Sequence, residues 1–248
     1  MRKQAVGILG YGEVGKALAR FYKKPYIKDL ERDNFPKFLD VLNVCIPYSN
    51  NFVKIVRDTI KKYNCQLVII HSTVAVGTTE RIGWRFCVHS PVRGVHPNLY
   101  EGLKTFTKYV GADFAGAGRL AAKHLMKIGM KPKVLYKSKT TELAKLLSTT
   151  YYGMCIAYHA YANKLCEKEG LNFEQVMTEW NNSYNAGYME LGKPEVIRPI
   201  LYPPVNDKIG KHCVIPNTEI LKKQFGDDLI LDTILRHKNY AKISRKKN

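Results

Sequence analysis

Gly10, Gly12 and Gly15 form a G-x-G-x-x-G array directly behind the apolar run Val6-Gly7-Ile8-Leu9. Glycines at this spacing let a strand turn tightly into a helix and bring backbone amides against a pyrophosphate. Tyr11, Glu13 and Val14 complete the turn, and Lys16-Ala17-Leu18-Ala19-Arg20-Phe21-Tyr22 continues with helical composition. Tyr26-Ile27 then leads to Asp29, about 20 residues beyond the first glycine, where an acidic side chain accepts from adenosine ribose hydroxyls. Asp29 favours NAD over NADP, although Lys28 and Arg32 are placed to touch a 2′-phosphate. An ordinary strand-turn-helix corner would use the same glycines; the acidic residue at this distance points to a dinucleotide.

Two further residues have the chemistry of a reaction centre. Cys213 follows Lys211 and His212 and precedes a helix expected to begin near Asn217. Neighbouring cations and a helix N-terminus lower a thiol pKa, and a thiolate beside a nicotinamide can add to an aldehyde. The same residue also suits the part of a small buried hydrophobe. Lys145 is polar on a helix otherwise rich in apolar groups, with Thr149 and Tyr152 further along its side; an exposed helix lysine is the plainer alternative. His71, His89 and His96 follow apolar runs, and each serves equally as a hydrogen-bonded loop histidine, so none is assigned chemistry. The remaining cysteines (45, 65, 87, 155 and 166) show no C-x-x-C pair and no metal-ligand rhythm. They read as reduced, buried thiols, and no metal site is expected.

The elements that must position these residues follow from periodicity. Strands are predicted at 4–9, 25–28, 41–46, 67–71, 85–88, 108–111 and 133–136, and helices at 13–22, 50–63, 78–82 and 115–129. Strands alternating with helices imply a parallel sheet covered on both faces, with ligands at the carboxyl ends of the strands. Those ends carry Gly10, Pro47-Tyr48-Ser49, His71-Ser72-Thr73 and His89-Ser90-Pro91. From Thr141, Leu143, Leu147, Tyr151, Met154, Tyr158, Tyr161 and Leu165 recur at three- and four-residue steps, one face of a long helix over 141–169. A shorter helix is predicted over 173–181, a proline-rich loop over 184–211 and a final helix from Asn217 to Gly226. The expected architecture is α/β: an N-terminal Rossmann parallel sheet (1–137), then a mostly α-helical domain with a long central helix (138–248).

Composition narrows the partners. With 248 residues and 45% hydrophobic content, the chain can bury a substantial core. No apolar run approaches the roughly 20 residues of a membrane span, and Met1-Arg2-Lys3-Gln4 enters the first strand at once. A cytoplasmic protein is therefore expected. The formal net charge of +19 comes from dispersed lysines without a recognisable nucleic-acid module, so anionic small ligands fit better than nucleic acid. The last few residues look like a frayed basic tail.

Four separated blocks resemble one family. Ser72-Thr73-Val74-Ala75-Val76-Gly77-Thr78-Thr79-Glu80 is similar to the Ser-Thr-Val-Pro-Val-Gly-Thr block of the UDP-glucose/GDP-mannose dehydrogenase family. Asp40-Val41-Leu42-Asn43-Val44-Cys45-Ile46-Pro47 resembles that family's strand before its Pro-Thr-Pro turn. Glu142-Leu143-Ala144-Lys145-Leu146, with Leu165-Cys166-Glu167, resembles its central helix, and Ile209-Gly210-Lys211-His212-Cys213-Val214-Ile215-Pro216 its Gly-Gly-His-Cys-Ile-Pro block. The resemblance, over residues 1 to about 225, implies a Rossmann domain, NAD, a homodimer formed through the 141–169 helix, and a sugar nucleotide oxidised at its C6 alcohol. It implies that Cys213 captures an aldehyde, that Lys145 stabilises the alkoxide or oxyanion, and that Thr73 contacts water or substrate beside the nicotinamide. Pro47, Ser72 and Thr73 join Gly10, Tyr11, Gly12, Glu13, Val14, Gly15 and Asp29 as the implied cofactor contacts.

The chain departs from that pattern where hydrolysis and substrate binding reside. The family aspartate four residues after the cysteine is Asn217, and the asparagine four after the lysine is Thr149. Glutamates expected after the sixth strand are absent from Ser90-Pro91-Val92-Arg93-Gly94-Val95-His96, and Lys211 replaces a glycine. The family's second nucleotide-binding domain would begin close to the end of this chain. The expected function is an NAD-dependent oxidoreductase acting on an alcohol of a sugar nucleotide or related phosphorylated substrate. A single oxidation, as in the related β-hydroxyacid dehydrogenases, is a milder version. A catalytically impaired NAD-binding protein is the alternative.

Overall fold

The structure is a computed structural model and describes residues 4–94, 98–203, 213–226 and 228–243. The chain divides into two compact units, Met1–Lys145 and Leu146–Asn248. The first is built on one eight-stranded sheet: β1 (Val6–Leu9), β2 (Tyr26–Asp29), β3 (Arg32–Asp33), β4 (Leu39–Val44), β5 (Cys65–Ile70), β6 (Cys87–His89), β7 (Thr107–Ala112) and β8 (Lys131–Tyr136). Their order is β3-β2-β1-β4-β5-β6-β7-β8. The chain order reverses on the two sides of β1, so a crevice opens at the carboxyl ends of β1 and β4, the usual ligand position in such sheets.

The Rossmann sheet followed by a helical region is the architecture the sequence predicts. The sheet is parallel at its centre, from β2 through β1, β4 and β5 to β6. Two pairings are antiparallel, β2 with β3 and β6 with β7, which alternation of strands and helices did not reveal. The short helix α4 (Leu99–Thr105) precedes β7 on the path from β6 and was also not predicted.

Alternation along the central strands fills two layers. Leu67 and Ile69 of β5 enter one core with Leu18 of α1 (Glu13–Ala19), Leu99 and Leu103 of α4, and Ala117, Ala121 and Leu125 of α5 (Ala115–Lys127). Val68 and Ile70 enter the other with Phe52, Val56 and Ile60 of α2 (Phe52–Lys62) and Ile82 of α3 (Thr78–Ile82). A central strand buried on both faces reads as an unbroken apolar run for this reason.

α6 (Ser138–Glu169) is the long helix, and the division between units falls inside it. In the second unit a π-helical stretch, Glu174–Glu179, runs directly into α7 (Trp180–Glu190). The helix thus extends well beyond the predicted 173–181, and the loop begins later than 184. α8 (Val214–Phe225) starts three residues before the expected position, and α9 (Leu229–Ile243) was not predicted; the expected basic tail at the last few residues lies outside the described residues. Ala157 of α6, Val214 of α8 and Ile234 of α9 form the core of this unit. No helix among the described residues is long and apolar enough to cross a membrane.

Candidate functional site

The glycine turn has the geometry that the spacing requires. Gly10 takes φ +93°, and a Cβ there would lie 2.8 Å from the backbone carbon of Cys45. A Cβ on Gly15 would lie 2.0 Å from the Gly10 carbonyl oxygen, so only glycine lets α1 pack this closely on the end of β1. Gly12, at the helix N-cap, faces open space: a Cβ there meets no atom within 4 Å. The turn therefore closes tightly behind and stays open in front, as a backbone cradle for a diphosphate must.

Asp29 is fixed at the rim of this cradle. Its carboxylate accepts from the Tyr11 amide at 2.9 Å and from the Leu30 amide at 2.8 Å, and the side chain stays exposed. Two backbone donors hold the oxygens in place while leaving lone pairs for a ribose diol. Lys28 is paired with Asp33 and approaches the Tyr63 ring, with its ammonium 5.8 Å from the centroid. Strand alternation sends it to the face opposite Asp29. Arg32 stands directly across from Asp29 in the β2–β3 pair.

The other cofactor candidates lie at the carboxyl ends of the neighbouring strands. Pro47 is exposed beyond β4. Ser72 is buried just beyond β5, and its hydroxyl donates to the Ile46 carbonyl at 2.6 Å. Thr73 is half-buried in the irregular segment between β5 and α3.

Beneath this edge lies a set of buried polar groups that the sequence did not single out as functional. Lys108, on β7, is 3% exposed and donates to the carbonyls of Ser90 at 2.5 Å and Pro91 at 2.9 Å. Burial, reinforced by the charge of Lys145 and opposed by Cys45, lowers its pKa to about 7. His71 is buried with its Nε2 2.9 Å from Asn43 Oδ1, and burial holds it neutral. Burial likewise lowers His89 to about 3. His89 Nε2 donates to the Ser72 carbonyl at 3.1 Å, and its Nδ1 lies 2.8 Å from Thr141 Oγ1. Glu142 is fully buried and accepts from the Gly77 amide (2.6 Å), the Thr79 amide (2.8 Å) and the Thr79 hydroxyl (2.7 Å). Glu142 sits in the sequence block that contains Lys145, but its apolar neighbours do not mark it as inward-facing, since Ala144 and Leu147 are themselves exposed.

Lys145 is half-buried on α6 in the first unit; Cys213 is half-buried at the N-cap of α8 in the second. Lys211, His212 and His96 lie outside the described residues. One turn into α8, Asn217 is 5% exposed, and its Nδ2 has no hydrogen-bond partner among the described residues. A cleft of about 550 Å³ in the second unit is lined by Glu179, Trp180, Tyr184 and Tyr188, and includes neither Cys213 nor Lys145.

No protein-family profile matches this chain, and no curated protein matches it. Solved structures do. UDP-D-ManNAc dehydrogenase from Pyrococcus horikoshii superposes with a TM-score of 0.75 at 18% identity, over 98% of this chain and 70% of that one. UDP-glucose dehydrogenase from Pyrobaculum islandicum gives 0.70 at 15% identity, over 96% and 68%. Mycobacterium tuberculosis 3-hydroxyisobutyrate dehydrogenase, solved with L-serine, gives 0.67 at 15% identity, over 98% of this chain and 94% of that one. The fold is dehydrogenase-like.

Proposed function

We propose that the protein is an NAD-dependent oxidoreductase acting on an alcohol of a sugar nucleotide or a related phosphorylated substrate. The observation that carries this reading is the glycine cradle, open only at Gly12 and spanned by the Tyr11–Asp29 hydrogen bond. Gly10, Tyr11, Gly12, Glu13, Val14 and Gly15 would hold the diphosphate and Asp29 the ribose, with Pro47, Ser72 and Thr73 toward the nicotinamide. When bound, NAD supplies the hydride acceptor. Solved structures of similar fold are sugar-nucleotide dehydrogenases, which supports the substrate class.

In this reading the Lys145 ammonium stabilises negative charge on the substrate oxygen as the alcohol is oxidised, and Thr73 orients that oxygen or a water. The Cys213 thiolate would add to the resulting aldehyde to give a thiohemiacetal, which would become a thioester only on loss of a second hydride to a second NAD. Asn217 marks a limit to the chemistry. An amide cannot take up a proton as the family's aspartate does, so hydrolysis of a thioester at Cys213 would be slow. Exposed Leu147, Tyr151, Tyr158, Tyr161 and Leu165, three, four or seven residues apart along one face of α6, support a homodimer through that helix.

A single oxidation, with Lys145 retained and Cys213 dispensable, is the second reading. It is favoured by the near-complete span of the 3-hydroxyisobutyrate dehydrogenase structure. NADH formation with a panel of UDP-sugars, GDP-sugars and hydroxy acids tests both. Cys213→Ala and Lys145→Ala should each abolish turnover under the first reading, and only Lys145→Ala under the second. Turnover untouched by both substitutions rejects these roles. NADH binding without turnover on any alcohol identifies an NAD-binding protein that is not a dehydrogenase.

A further inference from the structure

We infer that Glu142 and His89 are positioning residues that clamp the segment carrying Thr73 onto the helix carrying Lys145, acting at the nicotinamide end of the dinucleotide and not at its adenosine end. The inference rests on the cofactor reading above. The segment 71–77 has no regular structure of its own, so its shape is set by what grips its ends.

At the first end, His89 reaches from β6 to the Ser72 carbonyl. A carbonyl only accepts, so Nε2 carries the ring proton and Nδ1 accepts from the Thr141 hydroxyl. At the second end, Gly77 takes φ +84°, and it and Thr79 direct two amides and one hydroxyl into the Glu142 carboxylate. α3 has no side-chain N-cap hydrogen bond, and Glu142 supplies these contacts from a distant part of the chain. A local Ser, Asp or Asn at the cap would serve the helix alone at less cost than burying a carboxylate. The arrangement used here ties two elements together.

Thr141 and Glu142 are adjacent in the first turns of α6, and Lys145 follows one turn later on the same side. One helix therefore holds both ends of the Thr73 segment and presents Lys145. Charged neighbours agree with a fixed carboxylate: Lys139 is paired with Glu80 at 2.6 Å, and Asp113 is held by Ser138 at 2.7 Å. Burial raises the Glu142 pKa, and the hydrogen bonds from Thr79 and Gly77 oppose that rise.

The test uses Glu142→Gln, which preserves shape but leaves at most one acceptor oxygen, and Thr79→Val, which removes a single hydroxyl donor; Thr79→Ser serves as the conservative rescue. Amide hydrogen exchange without ligand reads the clamp. Exchange across 72–82 should quicken by about tenfold or more in Glu142→Gln, with β1 and β4 unchanged, in line with loss of a local and not a global constraint. Binding then reads the function: affinity for NADH should fall about five- to tenfold while affinity for ADP-ribose, which lacks the nicotinamide, holds. Thr79→Val should show a smaller effect of the same kind, reversed in Thr79→Ser. Unchanged exchange across 72–82 overturns the clamp, and equal loss of NADH and ADP-ribose overturns its placement at the nicotinamide end. If the unaltered protein binds neither ligand, the cofactor reading fails, and the exchange data still decide the clamp.

Discussion

Lys108 shows how far burial can move a single residue from its usual chemistry. Two backbone carbonyls accept its protons, and its pKa falls to about 7, whereas the unfolded chain would titrate near 10.4. Between these values the unfolded state binds more protons, so Lys108 makes stability rise as pH increases from about 7 toward 10. The slope cannot exceed about 1.4 kcal/mol per pH unit, the value for one proton. Urea unfolding at pH 7 and 9.5 should show this rise in the native sequence and its loss in Lys108→Met. Nothing in the local sequence of Lys108 announced burial, because the carbonyls it serves come from a turn 17 and 18 positions earlier. Asp29, by contrast, was legible from its distance to the glycines. Asp29→Ala should weaken NADH binding by about tenfold, measured by fluorescence titration, since two hydrogen bonds to a ribose diol are lost.

Elements were legible where one periodicity ran long enough. α6 was found from its apolar steps, and the central strands from their unbroken apolar runs. β3, with two residues, is too short for any period to show, and α4, with seven, was missed although α1 of the same length and the shorter α3 were predicted. The antiparallel turn of β7 against β6 was also hidden, since a strand reads the same in either direction. Close approach of elements gives sharper tests. In the second unit a Cβ on Gly153 of α6 would lie 2.5 Å from a buried methyl of Val214. Gly153→Ala should therefore destabilise by about 1–3 kcal/mol through overpacking, despite its better helix propensity, as read by chemical denaturation. Gly15→Ala meets backbone and not a movable side chain. It should displace α1 from β1 and abolish measurable NADH binding.

For the whole molecule, charge and buried histidines set the response to acid. His71, His89 and His124 are buried, and burial lowers all three, His89 to about 3 and His124 to about 4. In the unfolded chain they titrate near 6.5. The unfolded state thus binds more protons as pH drops below about 6.5, and the stability present above that value is lost progressively toward pH 3–4. A net charge of +19 adds repulsion in the same direction. Unfolding midpoints should fall steeply between pH 6.5 and 4, and a flat profile there would contradict neutral buried imidazoles. The proposed homodimer is tested at this scale too. Sedimentation should give twice the mass of 28.3 kDa, and Tyr158→Glu on the exposed face of α6 should halve it.

The sequence by itself determined the Rossmann sheet, the glycine cradle, the acidic residue at its rim and the long helix, because each depends on spacing within a short stretch. Only the tertiary structure decided which strands run against their neighbours, that Lys28 turns toward Asp33, and that His89, Lys108 and Glu142 are buried at the carboxyl edge of the sheet. Those outcomes depend on partners brought together from distant parts of the chain, as Glu142 is to Gly77 and Thr79. Local pattern carries no record of such contacts. Burial then sets the protonation of these groups, and with it their chemistry.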